Sequence, residues 1–553
     1  MKRLISLMLT VCLVLSLFAV ATTSSVQAES VSYGLTVNED GTIEMQGEAF
    51  YGFGGNAFFF LDRVLTDPLY DLDGAFKTFA DYDIPVVRVP FGTSGTDGFE
   101  LWQEDPETFF LLMDMIIKAA EKHQVGIIAT ITWWFPFVHL MFNEPVAAIG
   151  DSSSKSNKFA VEYTTAIVKR YAKSPAIFGW EITNEMNLCA DLCGGKDWAA
   201  FGVYQTDAEI DGYDFYTTKE ALVYMNDVAT AIAKNDPYGR MISNGNAKIV
   251  ANQMSKKKAS DAMDKKTHTW SMGWGTDTLE EFRQISLLYT ADPIDTMSSH
   301  IGRNEVGYGD FTCDAWGKTV TYKEYLIECV NSAKLAKKAF YLGEFGDMAG
   351  TDMETLFDER KLGTNKQYTK QFVEDTLAAG VQLATCWQFA YDATRTHQIN
   401  DDFPLYTYLL KLMQKANKDF QKQGKQNVDK YWSSVSNAFY NVAKPTTTSK
   451  TTSTTTKAST KTEATATTTK TEESTSTSAS ITTEASIGES STTTATDSDV
   501  VGNTQTTTTG HTDVLDDDQP KGVSPVVWIL LGAVVLAGGV TAVLVVMRRK
   551  KTG

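Results

Sequence analysis

The sequence predicts an α/β chain folded as a (β/α)8 barrel, on three observations. Short apolar, β-branched stretches alternate with longer stretches of helical periodicity between residues 50 and 423, and eight of the short ones are counted. The length left for folding, residues 29–443, suits such a barrel with insertions. Two of the apolar stretches, residues 177–187 (Ile-Phe-Gly-Trp-Glu-Ile-Thr-Asn-Glu-Met-Asn) and 339–346 (Ala-Phe-Tyr-Leu-Gly-Glu-Phe-Gly), read as strands buried on both faces that deliver a carboxylate to one rim.

The elements follow in order. Residues 50–56 form a first strand ending in Gly54-Gly55-Asn56, 71–82 a helix, and 84–89 a second strand interrupted by Arg88. Residues 106–123 carry Phe109, Leu112, Met113, Ile116 and Ile117 at helical spacing, and 125–132 is a third strand. A helix over 158–171 leads into strand four. After an aromatic insertion come a helix over 217–234, strand five over 240–246 and strand six over 294–300. A helix over 322–338 precedes strand seven, a helix over 365–379 precedes strand eight at 381–389, and a closing helix over 405–423 is capped by Gly424.

Composition separates the ends from the barrel. Lys2 and Arg3, the apolar run 4–20 and the small-residue site Val26-Gln27-Ala28 read as a signal peptide, residues 1–28. Residues 444–524 are dominated by Thr and Ser and have too few apolar side chains for a core, so a disordered linker is expected. Residues 525–547 are apolar over a membrane-spanning length, and the basic residues within 548–553 place the tail in the cytoplasm. The expectation is a monomer displayed on the outer face of the cell membrane. The net charge of −18 excludes nucleic acid as a partner. Of the cysteines, Cys189 and Cys193 read as a loop disulfide or two thiols, and no metal or other cofactor is expected.

Glu185 and Glu344, each at the end of a buried strand, suggest the carboxyl pair of a retaining glycoside hydrolase. One carboxyl attacks the anomeric carbon while the other protonates the leaving oxygen. An Arg inside an apolar strand needs an anionic partner, so Arg88 is expected to keep Glu344 ionised as the nucleophile, with Glu185 starting as the acid. Glu181, deeper in strand four, reads as structural, and His123 as an exposed helix cap. Trp133, Trp134, Phe135 and Phe137, with Trp270 and Trp274, are aromatics suited to stacking on pyranose rings or to packing their loops.

The Asn-Glu after strand four, the Gly-Glu-Phe-Gly of strand seven and the Arg of strand two make residues 45–425 resemble glycoside hydrolase family 5, which includes cellulases and mannanases. The resemblance implies Glu185 as acid/base, Glu344 as nucleophile and Asn184 as the amide on the sugar 2-hydroxyl. It implies Arg88 beside the nucleophile, His300 at the end of strand six and Trp387 under the sugar. Two departures stand out. Strand three runs into Thr132-Trp133-Trp134 where many family cellulases have a His, and Gly302 stands where a Tyr is usual, leaving Tyr308 as a candidate for that role. A polysaccharide is thus the expected substrate, β-glucan first and β-mannan second. An inactive carbohydrate-binding barrel is the alternative of another class.

Overall fold

The computed structural model describes residues 32–133, 136–191, 215–263, 275–302, 311–346, 359–389 and 404–442. The signal peptide, linker, span and tail lie outside the described residues, as do Trp134, Phe135, Cys193, Trp270, Trp274 and Tyr308. Among the described residues no helix is long and apolar enough to cross a membrane.

Eight parallel strands close into a barrel in chain order. Strands one to four are Gly52–Asn56, Val86–Pro90, Gly126–Thr132 and Ile177–Thr183. Strands five to eight are Ile242–Ser243, Thr296–Gly302, Ala339–Gly346 and Leu383–Cys386. Every residue of strands one to five is buried, because the barrel interior covers one face and the helices the other. The expected helix over 106–123 is Pro106–His123. Pro106 opens it, the Asp105 carboxylate caps its first turn, and Gln124 ends it in a left-handed conformation. The Thr217 side of the helix Thr218–Asn235 carries a capping box with Glu220.

Some expectations need correction. Strand five is two residues rather than seven, and strand eight four rather than nine. In both, the chain runs on beyond the regular hydrogen-bonded ladder, as Asn244-Gly245-Asn246 after strand five and Trp387-Gln388-Phe389 after strand eight. His123 is no exposed cap: its Nε2 lies 2.7 Å from the Asp73 carboxylate, tying the outer helix Leu72–Asp81 to Pro106–His123. Of the two readings of Cys189, loop disulfide or free thiol, the structure shows a buried free thiol.

Two additions were not expected. A three-stranded antiparallel sheet (Leu35–Val37, Ile43–Met45, Glu48–Ala49) precedes the barrel, and its Leu35, Ile43 and Met45 are part of the core. A final helix, Val428–Val442, follows the closing helix Pro404–Lys422. Tyr431 on it donates to the Pro175 carbonyl at 2.6 Å and accepts from the Gly34 amide, so the two terminal additions meet just before strand four.

Candidate active site

The site is built upward from Arg88. The guanidinium is fully buried, and all three of its nitrogens donate: Nε to Glu181 at 2.6 Å, Nη1 to Glu344 at 2.7 Å and Asn56 at 2.9 Å, and Nη2 to Asn184 at 2.7 Å. Burial pulls its pKa down, but Glu181 and Glu344 more than offset this and hold it above the usual value. One side chain thus fixes groups from strands one, four and seven at once.

Register explains the floor of this network. Thr130 on strand three pairs with Glu181, and Glu181 pairs with Ser243 on strand five. Their hydroxyls therefore reach the Glu181 carboxylate at 2.8 and 3.0 Å. With Arg88 also on it, Glu181 is saturated and fully buried, in keeping with a structural residue. Asn56 completes the set, accepting from Arg88 and donating to the Gly343 and Cys386 carbonyls at 3.0 and 3.1 Å.

Above this floor lie the two carboxyls. Glu185 sits just past strand four with φ 55° and ψ 26°, a left-handed conformation uncommon outside glycine. Its amide donates to the Gly245 carbonyl at 2.8 Å. Glu344 pairs in register with His300 on strand six, after a shift in the ladder at Gly343. Gly343 has no substitute there: a Cβ would stand 2.6 Å from His300 Nε2 and 2.8 Å from Ser298 Oγ. The buried His300 ring packs close against Gly343 of strand seven, and its Nδ1 lies near both carboxyls, 2.9 Å from Glu185 and 3.4 Å from Glu344. One oxygen of each carboxyl and a His300 nitrogen fall within 4.8 Å of one another. These three residues are also the group, among the described residues, whose atoms could ligate a cation. The Glu344 oxygen facing His300 already accepts from the Arg88 guanidinium, so positive charge is present there without a metal.

Electrostatics corrects one expectation. Pairing with Arg88 predicts a readily ionised Glu344 carboxyl, yet burial pushes it up to about 7, with the Glu185 charge adding to the rise and His300 and Arg88 opposing it. The reason is that the cost of burying the charge exceeds what Arg88, which also pairs with Glu181, and His300 return. The proton held near neutrality belongs to the carboxyl pair as a unit.

The aromatics divide. Trp387 is half-buried at the end of strand eight and meets Phe58 edge-on at 4.6 Å. Trp133 is 8% exposed and meets the same Phe58 at 4.1 Å, so most of its ring packs the strand-three loop rather than facing solvent. Asn184 is buried; Arg88 occupies its carboxamide oxygen, which leaves the NH2 group as the donor. Sequence reasoning missed Asn56, Thr130 and Ser243. For Asn56 a signal existed, a polar residue ending an apolar strand as Asn184 does. For the two hydroxyls there was none, because Thr and Ser are ordinary in strands.

Matches to known proteins can be set beside this geometry. The chain is 28% identical over 162 residues to mannan endo-1,4-beta-mannosidase A of Emericella nidulans, covering 26% of this chain and 41% of that protein. It is 29% identical over 167 residues to a protein named probable mannan endo-1,4-beta-mannosidase F of Aspergillus flavus, covering 26% and 34%. The resemblance to glycoside hydrolase family 5 holds. The chain spans about a third to two fifths of the length of these curated relatives. Among solved structures, the endo-1,4-beta-mannanase of Rhizomucor miehei aligns with a TM-score of 0.47 at 14% identity, covering 70% of this chain and 99% of that one. A mutant family 5 mannosidase of the same organism, in complex with mannosyl-fructose, aligns with a TM-score of 0.46 at 13% identity, covering 70% and 98%. No family model matches the chain.

Proposed function

We propose that the protein is a retaining endo-β-1,4-mannanase. The observation that carries the reading is the approach of the Glu185 and Glu344 oxygens within 4.8 Å. Retaining glycosidases hold their carboxyls about 5 Å apart, whereas inverting ones leave roughly 6.5–9.5 Å for a water. In this mechanism Glu344, oriented by Arg88 and His300, attacks the anomeric carbon while Glu185 protonates the departing oxygen. Glu185 then takes a proton from the water that releases the sugar. Asn184 offers its NH2 to the 2-hydroxyl, and Trp387 presents its exposed face to the ring. The order of substrates expected from the sequence, glucan before mannan, is reversed, because the matched fungal proteins carry mannan in their names.

The test is hydrolysis of galactomannan, glucomannan, barley-type β-glucan and carboxymethylcellulose by residues 29–443, with and without a chelator. Release of short manno-oligosaccharides, unchanged by the chelator, is expected. Cleavage of the glucans alone would return the substrate order to glucan. Binding of polysaccharide with no cleavage would favour the inactive, carbohydrate-binding reading.

The pH profile follows from Glu344. Its carboxyl, raised to about 7 by burial, is part of a pair that must keep one proton for the leaving group. As pH rises through that value the proton held at Glu344 is lost and the pair carries more negative charge. kcat/KM is expected to fall about tenfold per pH unit on the alkaline side, with an apparent pKa near 7. A flat profile to pH 9 would contradict the assignment.

Surface display belongs to the same proposal and rests on the sequence: an apolar run at 525–547 followed by Arg548, Arg549, Lys550 and Lys551. Full-length protein is expected to sediment with membranes through a high-salt wash, and a chain ending at residue 443 to stay in the supernatant. Release of the full-length protein by salt would refute the span.

A further inference from the structure

We propose that Asn187 is a positioning residue for Glu185, a role that rests on Glu185 being the acid/base of the proposed hydrolysis. The problem it solves is local. Strand five is so short that its ladder with strand four ends at the pair Glu181 and Ser243, well before Glu185 is reached. Glu185 therefore lies beyond the regular ladder, in a left-handed conformation, and its side chain is 27% exposed.

Asn187 takes over where the ladder stops. It is fully buried, and its side-chain carboxamide runs along the backbone of Ala247 as a strand neighbour would. The oxygen accepts from the Ala247 amide at 2.9 Å, and the NH2 group donates to the Ala247 carbonyl at 3.3 Å. The Asn187 main-chain carbonyl accepts from Gln253 Nε2 at 3.1 Å. On the preceding residue, the Met186 carbonyl accepts from the Tyr216 hydroxyl at 2.5 Å. Two residues before Ala247, the Gly245 carbonyl receives the Glu185 amide. Gly245 itself has φ 70°, and a Cβ there would stand 1.8 Å from the Thr183 carbonyl oxygen, so the two segments run in contact. The carboxamide thus replaces the missing ladder rungs and ties the Glu185 turn to the exit of strand five. A buried amide that satisfies both polar groups of one backbone residue specifies a single register between the segments. A shift of about an ångström in a reacting group costs on the order of 100-fold in rate.

The experiment compares two aryl β-mannobiosides, one with a dinitrophenyl and one with a phenyl leaving group, on wild type, Asn187→Ala and Asn187→Asp. The dinitrophenolate departs without help, while phenolate needs the proton from Glu185. For Asn187→Ala, kcat/KM on the phenyl substrate, which reports the protonated departure, is expected to fall about 100-fold, with kcat/KM on the dinitrophenyl substrate within a few-fold of wild type. Asn187→Asp keeps the acceptor for the Ala247 amide and is expected to fall between. Equal losses on both substrates would overturn the proposal, since damage to the site at large does not distinguish leaving groups. If the alanine variant does not fold, the same ratio in the aspartate variant decides. A wild-type chain inert on both substrates would overturn the hydrolase reading and this inference with it. Wild-type activity with an unchanged leaving-group ratio in the variants would overturn this inference alone.

Discussion

Glu344→Gln is expected to lose mannan hydrolysis by at least about a thousandfold, and Glu185→Gln to lose it by about 10²–10⁴-fold. Both substitutions keep the size of the side chain and remove its charge, so folding is preserved. They differ in what survives. Glu185→Gln retains the nucleophile and is expected to cleave the dinitrophenyl glycoside through the first step, accumulating a glycosyl-enzyme that mass spectrometry detects. Glu344→Gln has no nucleophile and forms no such adduct. The Glu185 substitution carries a second consequence. The Glu185 charge raises the Glu344 carboxyl, so its removal moves the remaining titration to lower pH. An adduct in Glu344→Gln and none in Glu185→Gln would exchange the two roles.

Arg88→Met is expected to be the most damaging single change to stability, by about 3–5 kcal/mol in urea unfolding. The substitution is close in length but leaves Glu181 in the barrel floor without its cation, and Glu344 and Asn184 without the donors that orient them. Adding Glu181→Gln should recover much of the loss, because it removes the stranded charge while Thr130 and Ser243 still meet the amide. Activity should stay low in the double variant, since Glu344 and Asn184 remain without Arg88. An Arg88→Met protein as stable as wild type would mean that the guanidinium does not neutralise the barrel floor. Full recovery of activity in the double variant would mean that Arg88 serves only Glu181.

The parts of this molecule legible in the sequence are those encoded by local pattern. The helix Pro106–His123 is recovered to the residue because its apolar spacing, opening proline and following left-handed glutamine all act within a turn of the chain. Strand seven is recovered to the residue for a similar reason, being an unbroken apolar run between a helix end and a glycine. Glu185 and Glu344 stood out because a charged residue ending such a run needs a reason to be there. Trp133 shows where the pattern fails. A tryptophan in a loop has no periodicity to say which of its faces is covered, and its contact with Phe58 from beyond strand one forms only in the folded chain.

The sequence by itself determined the barrel, the order of its strands and the identity of the two carboxyls at its mouth, since alternation of strand and helix and the chemistry of strand ends are local properties. The tertiary structure alone decided how the charges are shared. Glu181, Glu344 and Asn184 are far from Arg88 in the chain and meet it only when the barrel closes, and burial then sets the Glu344 carboxyl near 7 where pairing alone would have set it low. The same holds for the short strand five. Its ladder stops at Ser243, and beyond it the side chain of Asn187 makes the pairing with Ala247 that a neighbouring strand would have made.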